Sequence, residues 1–418
     1  MKIAFCTISC ANYTAYVMTL LDSLSTSQSN EDKYWLVVDS SSGSAEFQIL
    51  FGTRCIVVSL DDLDIEDVER MCFRYSAMEL STALKPFFLR WLLSRGYDGV
   101  VYLDPDIYVY GPLTEVTSAM QQHSILLTPH CVYFGMGQQA IDVSFTLMRT
   151  GTFNLGFIAV SRCSETSVFL DWWCTMCASD CYDEQERGIF VDQKWLDLAI
   201  GGLSRFGIIC SPGLNMAYWN LHERKLIGQM VNGKYPLVFF HFSGIEVERA
   251  DGISKHLPGV HLTDRPDLAS LFRGYRDRLS ANDYAHYSSR QYAFGFYDDG
   301  RPIGVLARRL YPTVDCTYLH PFRSGAGTYE DLLLARHLLE GGVKITIESP
   351  RAQRGEKVLR MIAKMVLRLG GPDTLRNLFE YFSKRSSLRD LGWLLLDNRK
   401  KIRLHTKESL GIETRRRH

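Results

Sequence analysis

The segment Val100-Val-Tyr-Leu-Asp-Pro-Asp-Ile-Tyr-Val109 decides how this chain of 418 residues is organised. It begins as an apolar and aromatic run, which is typical of a strand buried on both faces of a parallel sheet. The run ends at Asp104 and Asp106, which flank Pro105, and proline cannot donate to a sheet ladder. The two carboxylates therefore lie at the carboxyl end of a buried strand, where open α/β sheets bind ligands.

Paired carboxylates at such an edge predict a cation. Asp104 and Asp106 repel each other at close range unless a cation lies between them or one of them is protonated. Mg²⁺ and Mn²⁺ prefer oxygen ligands and often bridge carboxylates to substrate phosphates. The segment therefore predicts a Mn²⁺ or Mg²⁺ site that binds a diphosphate, and the alternative is an ordinary acidic turn after a strand.

Composition and charge narrow the class of protein. Hydrophobic residues make up 46% of the chain and charged residues 22%, which is typical of a globular enzyme with two or three domains. The net charge of zero hides an uneven distribution: residues 351–418 hold 18 Lys and Arg against 7 Asp and Glu, whereas the remainder holds 29 against 40. Because the acidic body would repel phosphates, we do not expect nucleic acid as a partner.

The N-terminus and the cysteines predict a cytoplasmic protein. Met1–Ser9 turns polar too early for a signal peptide, and no apolar run approaches the roughly 18 to 20 residues of a membrane span. We therefore expect the 11 cysteines to be mostly core thiols. Cys174, Cys177 and Cys181 have a helical spacing that can hold zinc, but core packing is favoured because no fourth ligand is evident at a suitable spacing.

Strand and helix patterns alternate through the first part of the chain. Residues 2–8, Tyr34–Asp39 and Cys55–Val58 have strand patterns, and a helix pattern follows the first of them. This alternation predicts an α/β fold with a parallel sheet. No GxGxxG motif follows the first strand, which argues against a dinucleotide-binding dehydrogenase. Residues 7–13 instead offer Thr7, Asn12 and Tyr13, a polar and aromatic set suited to a base or ribose.

Three further side chains lie at predicted element ends. Lys85 lies near the start of a helix, where a cation would favour a diphosphate, although a surface lysine explains it about as well. Asp192 lies in the first turn of a helix, where the helix dipole alone would favour a carboxylate. His241 ends an apolar strand, so it is predicted to share a cleft with Asp104, although a lone histidine is more often structural.

The order of these features resembles the GT-A nucleotide-sugar glycosyltransferases. It is most similar to family 8 and to related bacterial surface-polysaccharide and O-antigen transferases. The resemblance covers about residues 1–245 and rests on Leu103-Asp-Pro-Asp106, Asn154-Leu-Gly156, Asp192-Gln193, Asn215 after a turn, and His241 in His-Phe-Ser-Gly. It implies a GT-A fold, which is a Rossmann-like mixed sheet with helices on both faces.

The resemblance also implies a set of site residues. It implies a metal ion bound by Asp104, Asp106 and His241. The implied nucleotide and donor-binding residues are Thr7, Asn12, Tyr13, Asp39, Lys85, Asn154, Gly156 and Asn215. Asp192 and Gln193 would lie beside the sugar and the acceptor.

The implied reaction moves a sugar, in our expectation a hexose, from a UDP- or GDP-sugar to a glycan or lipid-linked acceptor. A divalent cation stabilises the departing diphosphate, and the acceptor hydroxyl loses its proton to a carboxylate or to the leaving phosphate. Retention of configuration would place Asp192 or Gln193 beneath the anomeric carbon. Inversion would make Asp192, or another acid such as Asp142, the base. The sequence leaves both outcomes open.

The chain departs from the family 8 pattern after His241. The family has a glycine followed by Lys-Pro-Trp, whose lysine helps to hold the leaving diphosphate. This chain instead has Gly244-Ile-Glu-Val-Glu-Arg249. Arg224, Lys225 or Arg249 are the candidates for the missing cation.

We predict three parts of the chain. These are a catalytic domain in residues 1–245, an accessory or acceptor-side α+β subdomain in 246–348, and a basic helical tail in 349–418. Lys357–Leu369 predicts an amphipathic helix with one basic face. This pattern favours peripheral binding of residues 351–418 to the anionic inner face of the cytoplasmic membrane, and the alternative is a helix docked on the body of the protein.

Two other classes of protein compete with the transferase. A glycoside hydrolase also uses two carboxylates, but Asp104 and Asp106 are too close in sequence to flank a glycosidic bond at the required separation. A non-catalytic sugar-binding or membrane-scaffold protein with a degenerate cleft is the second alternative. Metal-dependent donor binding separates it from the transferase.

Overall fold

A computed structural model gives the structure of the chain. It describes residues 1–28, 30–39, 44–133, 135, 138–339, 361–362, 364–372, 374, 378 and 387–395. The chain divides into two compact units, Met1–Ile303 and Gly304–His418. None of the helices within the described ranges combines the length and the apolar character needed to cross a membrane.

A mixed sheet of seven strands forms the centre of the first unit. In spatial order its strands are β10 (Phe206–Ile208), β6 (Ile125–Pro129), β7 (Phe153–Ser161), β4 (Gly99–Leu103), β1 (Ile3–Ser9), β2 (Asp32–Val37) and β3 (Ile56–Ser59). Neighbouring strands are parallel except that β7 runs antiparallel to β4 and β6. The predicted α/β fold class with a mixed sheet is confirmed.

Helices cover both faces of this sheet. The helices of the first unit are α1 (Thr14–Ser27), α2 (Ser44–Phe51), α3 (Val68–Arg74), α4 (Ala77–Ala83), α5 (Lys85–Ser94), α6 (Thr114–Ala119), α7 (Gln138–Thr150), α8 (Ser164–Ser179), α9 (Leu196–Ala199), α10 (Ala269–Ala281) and α11 (Tyr284–Ser288). On one face, Leu20 and Leu24 of α1 share a core with Phe5 and Val101. On the other face, the Lys85 ammonium of α5 lies 4.5 Å from the centre of the Tyr102 ring.

The turn around Pro105 carries the chain from the large sheet into a smaller one. All five residues of β4 are buried, as the apolar run predicts. After Leu103 the chain enters β5 (Ile107–Val109), which pairs antiparallel with β15 (Phe239–His241), and β15 pairs in parallel with β11 (Met216–Ala217). Because the two sheets meet at this turn, Asp104 and Asp106 lie between the end of β4 and the end of β15.

Two more small sheets complete the first unit. One contains β12 (Leu226–Ile227), β13 (Met230–Val231) and β14 (Tyr235–Pro236), and the other contains β8 (Asp183–Glu184) and β9 (Ile189–Phe190). The helices α4 and α5 follow each other directly, and Pro86 lies in the first turn of α5. Proline is tolerated there because that turn has no intrahelical partner for its amide.

The helices α10 and α11, which follow residue 245, belong to the first unit. Phe272, Tyr275 and Leu279 of α10 are buried in one core with Val17 and Leu21 of α1. An antiparallel bridge between residues 296 and 302 closes a turn that contains Asp299 and Gly300. The three-part division of the chain stays a prediction. In the structure, the boundary between the two compact units lies between Ile303 and Gly304.

The second unit has α12 (Val305–Leu310), α13 (Tyr329–Ala335) and a 3₁₀ segment at Leu388–Leu395. The predicted amphipathic helix of residues 357–369 lies in part outside the described residues. Residues 361–362 and 364–372 are helical, and the side chains of Met361, Met365 and Leu369 are 64%, 54% and 83% exposed.

Candidate active site

Asp104, Asp106 and His241 converge at the junction of the two sheets and form a group that we call the acid–imidazole cluster. His241 Nε2 lies 2.9 Å from Asp106 Oδ1 and 3.7 Å from Asp104 Oδ2. One donor atom of each residue lies within 4.8 Å of the others. The structure therefore brings His241 beside two carboxylates that lie more than 130 positions earlier in the sequence.

Backbone pairing fixes the positions of these three residues. His241 lies opposite Ile107 in the β15–β5 pair, and the Phe242 amide donates to the carbonyl oxygen of Asp106 at 2.9 Å. The Asp104 amide donates to the carbonyl oxygen of Gly156 at 2.8 Å. Because both ends of the Asp-Pro-Asp turn are bonded to neighbouring strands, the cluster is held on rigid elements rather than on a free loop.

Gly156 leaves room for the imidazole. A Cβ atom at this position would lie 2.7 Å from His241 Nδ1, closer than side chains pack. Asn154 Oδ1 accepts hydrogen bonds from the Gly156 amide and from Asn215 Nδ2, both at 3.1 Å. Asn215 has a left-handed backbone with φ of 55° and donates its second hydrogen bond to Thr128 Oγ1. The Asn154, Gly156 and Asn215 motifs thus form one network beside His241.

The electrostatics of the cluster suit a divalent cation. Tyr102 donates a hydrogen bond to Asp104 Oδ1 at 2.6 Å. Burial lowers the pKa of His241, but the Asp106 and Asp104 carboxylates raise it by more, so the net shift of this pKa is upward. Two carboxylates and one imidazole, all partly or fully buried, offer oxygen and nitrogen donors that suit Mn²⁺. The residues therefore fit the metal that the family resemblance implies.

Lys85 and Asp192 form a buried ion pair. Lys85 Nζ lies 2.7 Å from Asp192 Oδ2 and donates a hydrogen bond to the Leu155 carbonyl oxygen at 2.7 Å. Burial raises the pKa of Asp192 to about 6, because the Lys85 charge offsets only part of the desolvation. For Lys85, burial lowers the pKa while the Asp192 and Asp104 carboxylates raise it, and the net shift is upward. The predicted diphosphate cation and the predicted catalytic acid therefore bind each other.

Gln193 and Asp142 differ from Asp192 in their surroundings. The Gln193 side chain donates to the Thr150 carbonyl oxygen at 2.6 Å and accepts from the Leu155 amide at 3.1 Å. Its amide group thus links the two ends of the loop that enters β7. Asp142 lies on α7 with an exposed side chain. Roles for Gln193 and Asp142 in the reaction stay predictions.

A pocket of about 380 Å³ opens at the carboxyl ends of β1 and β2. Its lining residues are Ala11, Asp39, Glu46, Phe47, Arg290 and Gln291. Asp39 accepts a hydrogen bond from the Ala11 amide at 2.8 Å, and burial raises the pKa of its carboxyl group. The Arg290 guanidinium pairs with Glu46 and lies 5.4 Å from the centre of the Phe47 ring. The pocket therefore offers a cation and carboxylates, and the Phe47 ring beneath the guanidinium is buried.

The other residues predicted for the nucleotide lie near this pocket in the sequence. Asn12 and Tyr13 belong to the 3₁₀ turn Ala11–Tyr13 that follows β1. Tyr13 is 39% exposed, and its ring stacks on Tyr16 with centroids 4.8 Å apart. Thr7 lies within β1 and is 1% exposed. Thr7 is therefore the member of this set that has least access to a ligand.

The structure adds residues that the sequence did not single out. The Trp219 ring makes edge contacts with His241 and His130, at centroid distances of 5.2 and 5.4 Å. His130 directly follows β6, so the reasoning from strand ends that identified Asp104 would also have identified His130. Arg290 had no such signal, because it lies more than 240 positions from its partner Glu46.

The structure also bears on Arg224 as a diphosphate cation and on the group of three cysteines at Cys174, Cys177 and Cys181. Arg224 is buried, and its Nη1 donates to the carbonyl oxygens of Pro212 and Leu214. A guanidinium that is held in this way is a poor candidate for the missing diphosphate cation. Cys174, Cys177 and Cys181 are all buried free thiols.

Comparisons with known proteins give matches of two kinds. No family model matches the chain. The uncharacterized protein YfnF of Bacillus subtilis strain 168 is 27% identical over 208 residues, which are 48% of this chain and 67% of YfnF. The uncharacterized protein YfnD of the same strain is 27% identical over 174 residues, which are 40% of this chain and 53% of YfnD. The chain thus spans about two thirds of one relative and about half of the other.

Solved structures similar to this chain include two glycosyltransferases. The galactosyltransferase LgtC, in complex with donor and acceptor sugar analogs, is 12% identical, with 66% of this chain and 95% of LgtC covered at a TM-score of 0.39. The apo form of the glycosyltransferase GlyE from Streptococcus pneumoniae TIGR4 is 16% identical, with 69% and 64% covered at a TM-score of 0.41. Both of these proteins are glycosyltransferases.

Proposed function

We propose that this chain is a metal-dependent glycosyltransferase that moves a sugar, in our expectation a hexose, from a UDP- or GDP-sugar to a glycan or lipid-linked acceptor. The observation that carries the proposal is the acid–imidazole cluster. Three donor groups from two separate segments converge at the carboxyl end of a buried strand, at the edge where this class of sheet binds ligands. A role in bacterial surface polysaccharide synthesis is part of the proposal.

Asp104, Asp106 and His241 would hold the cation. A bound Mn²⁺ or Mg²⁺ supplies positive charge for a departing diphosphate. The protein prepares this site by placing two carboxylates side by side and by fixing His241 against Gly156. Tyr102 holds one oxygen of Asp104 through its hydrogen bond, which leaves the other oxygen toward His241.

Lys85 and Asp192 have linked tasks in this proposal. Asp192 is the candidate carboxylate beside the sugar, and its pairing with Lys85 keeps it ionised in a buried position. Lys85 is itself bonded to Asp192 and to the Leu155 carbonyl oxygen. We therefore assign Lys85 to positioning Asp192 rather than to direct binding of a phosphate.

The pocket at Asp39 and Arg290 is the candidate site for the nucleoside. The Arg290 guanidinium lies over the buried Phe47 ring and offers a flat, cationic surface against which a base can stack. The Asp39 carboxylate is held by the Ala11 amide and is placed for a ribose hydroxyl. Asn12 and Tyr13 follow directly in the same turn.

As part of this proposal, residues 351–418 bind peripherally to an anionic membrane surface. Lys364 and Arg368 belong to the described helical residues, and apolar side chains of the same stretch are exposed. Such a helix suits the inner face of the cytoplasmic membrane, where lipid-linked acceptors would be met. We expect Lys364→Glu/Arg368→Glu to bind anionic vesicles less than the unchanged protein, and equal flotation of the two would remove this part of the proposal.

A thermal-shift screen tests the transferase. We expect one class of nucleotide sugar to stabilise the protein in Mn²⁺ and to lose this effect in EDTA, since a donor at about 100 times its Kd adds about 2.7 kcal/mol. Asp106→Asn should abolish the metal-dependent shift. Asp61→Asn, at an exposed position in the 3₁₀ turn Leu60–Leu63, is the matched control. Stabilisation that is the same with and without metal would favour the non-catalytic sugar-binding alternative, and no stabilisation by any donor would contradict both.

A further inference from the structure

A second group of side chains that could bind a metal ion lies next to Trp219. Cys131, His222 and Glu223 each offer one donor atom, and these atoms lie within 4.8 Å of one another. We call this group the cysteine cluster. Cys131 Sγ lies 3.6 Å from the Trp219 carbonyl oxygen, while the ring of the same Trp219 contacts His241. The cysteine cluster shares no residue with the acid–imidazole cluster.

Backbone hydrogen bonds hold Cys131 and Glu223 together. The amides of Val132 and Tyr133, the two residues that follow Cys131, both donate to the Glu223 carboxylate at distances from 2.8 to 3.1 Å. The Glu223 carboxylate therefore fixes the position of the loop that carries the Cys131 thiol. In protein metal sites, carboxylate ligands usually accept hydrogen bonds from surrounding groups, which fix their orientation. The closeness of these two side chains is thus fixed by the fold.

Charge balance leaves room for a cation. Arg224 Nε lies 3.3 Å from Glu223 Oε1, and both side chains are nearly inaccessible, so this pair already neutralises itself. A divalent ion that binds a thiolate beside this pair leaves one net positive charge. His222 is exposed, so the third ligand approaches from the solvent side. An ion bound here would therefore keep access to a further ligand from solvent.

We infer that Cys131, His222 and Glu223 bind one Zn²⁺ through the thiolate sulfur, an imidazole nitrogen and a carboxylate oxygen. Sulfur, nitrogen and oxygen donors in one site are the set that zinc accepts, and three protein ligands leave a fourth position open. The remaining charge favours an anion or water there. Binding forms the sulfur–zinc bond and releases the thiol proton to solvent. Burial raises the pKa of the Cys131 thiol to about 12, so the metal-free protein carries that proton.

The two clusters are expected to select different ions. The acid–imidazole cluster has no sulfur, and its carboxylates suit Mn²⁺ or Mg²⁺. The cysteine cluster has a thiol, which favours zinc over these ions. This inference does not depend on the proposed transferase activity, because none of the three residues is assigned to the donor, the acceptor or the acid–imidazole cluster.

Cobalt is the probe that separates the two clusters, because zinc has no visible spectrum. We expect the metal-depleted full-length protein to take up Co²⁺ with a thiolate-to-cobalt charge-transfer band that one equivalent of Zn²⁺ abolishes. Cys131→Ser should lose the band, and His222→Ala should weaken zinc binding at least tenfold in competition with a chromogenic chelator. Cys210→Ser removes an exposed free thiol and is the matched control.

Each outcome decides the inference. Loss of the band in Cys131→Ser with retention in Cys210→Ser supports it. A band that persists in Cys131→Ser, or zinc binding that is lost in Asp106→Asn and kept in His222→Ala, overturns it. Absence of a thiolate band in the unchanged protein at micromolar cobalt also overturns it. Because His222 is exposed, His222→Ala keeps the test open if Cys131→Ser fails to fold.

Discussion

The acid–imidazole cluster and the cysteine cluster both contact Trp219, but their carboxylates are bonded differently. Each has a buried cation nearby. Lys85 is bonded to Asp192, which is outside the cluster, whereas Arg224 is bonded directly to the cluster residue Glu223. The carboxylates of Asp104 and Asp106 are thus left for a ligand, while the Glu223 carboxylate already holds a loop in place.

The difference shows how the surroundings of a carboxylate decide its task. Asp104 and Asp106 keep part of their surface in solvent, with side chains 27% and 17% exposed, while that of Glu223 is 3% exposed. A buried carboxylate that accepts several backbone hydrogen bonds also stabilises the fold, whether or not it binds an ion. Two adjacent carboxylates with few partners favour function over stability. The predictions below test this distinction, beginning with the largest expected effect.

Removing the cation beside the acid–imidazole cluster should destabilise the protein most. We expect Lys85→Met to lower the free energy of unfolding by about 3 to 5 kcal/mol, because Asp192 would remain buried without a partner. The double variant Lys85→Met/Asp192→Asn should recover much of this loss, since no uncompensated charge remains. Urea unfolding measures both. An equal cost of Lys85→Met in the Asp192→Asn background would show that the ion pair is not the reason.

A methyl group at Gly156 should disturb the acid–imidazole cluster alone. It would press on His241, so we expect Gly156→Ala to weaken Mn²⁺ binding by about 10- to 100-fold, the usual effect of changes around a metal ligand. Titration of Mn²⁺ followed by electron paramagnetic resonance measures this affinity. The control is Gly201→Ala, where a Cβ meets no atom within 4 Å. Unchanged Mn²⁺ affinity in Gly156→Ala would mean that His241 is not a ligand.

A change at Glu223 should have a smaller effect that does not require metal. In EDTA we expect Glu223→Gln to lower the free energy of unfolding by about 1 to 2 kcal/mol, because an amide NH₂ would face the Val132 or Tyr133 amide. Glu186→Gln, at an exposed position, is the control for the same chemical change. Equal stability of these two variants would show that the Glu223 carboxylate does not hold the loop of residues 132 and 133 in place.

Several features of the fold and the site could be predicted from local patterns. The buried run before Asp104, its end at Pro105 and the alternation of strands and helices predict the mixed α/β sheet and the position of the acids at its edge. His241 was predicted by the same reasoning, because it ends an apolar strand. These predictions succeed because a strand end is a local property of the chain.

Other features depend on pairs of residues that no local pattern connects. Asp192 was predicted as a catalytic acid in the first turn of a helix, and Lys85 as a phosphate cation or a surface lysine, yet they bind each other across more than 100 positions. The helices α10 and α11 carry no sign in the sequence that they complete the core around α1. Cys131 and Glu223 likewise meet only because the loop amides of residues 132 and 133 reach the carboxylate.

The sequence by itself determined which groups stand at the ends of buried strands, since hydrophobic periodicity and proline act on neighbouring residues. Only the tertiary structure decided which of those groups are free for a ligand and which are already bonded. The physical reason is that a charge becomes available or neutralised through its spatial neighbours. In this protein those neighbours come from strands and loops that lie far apart in the chain.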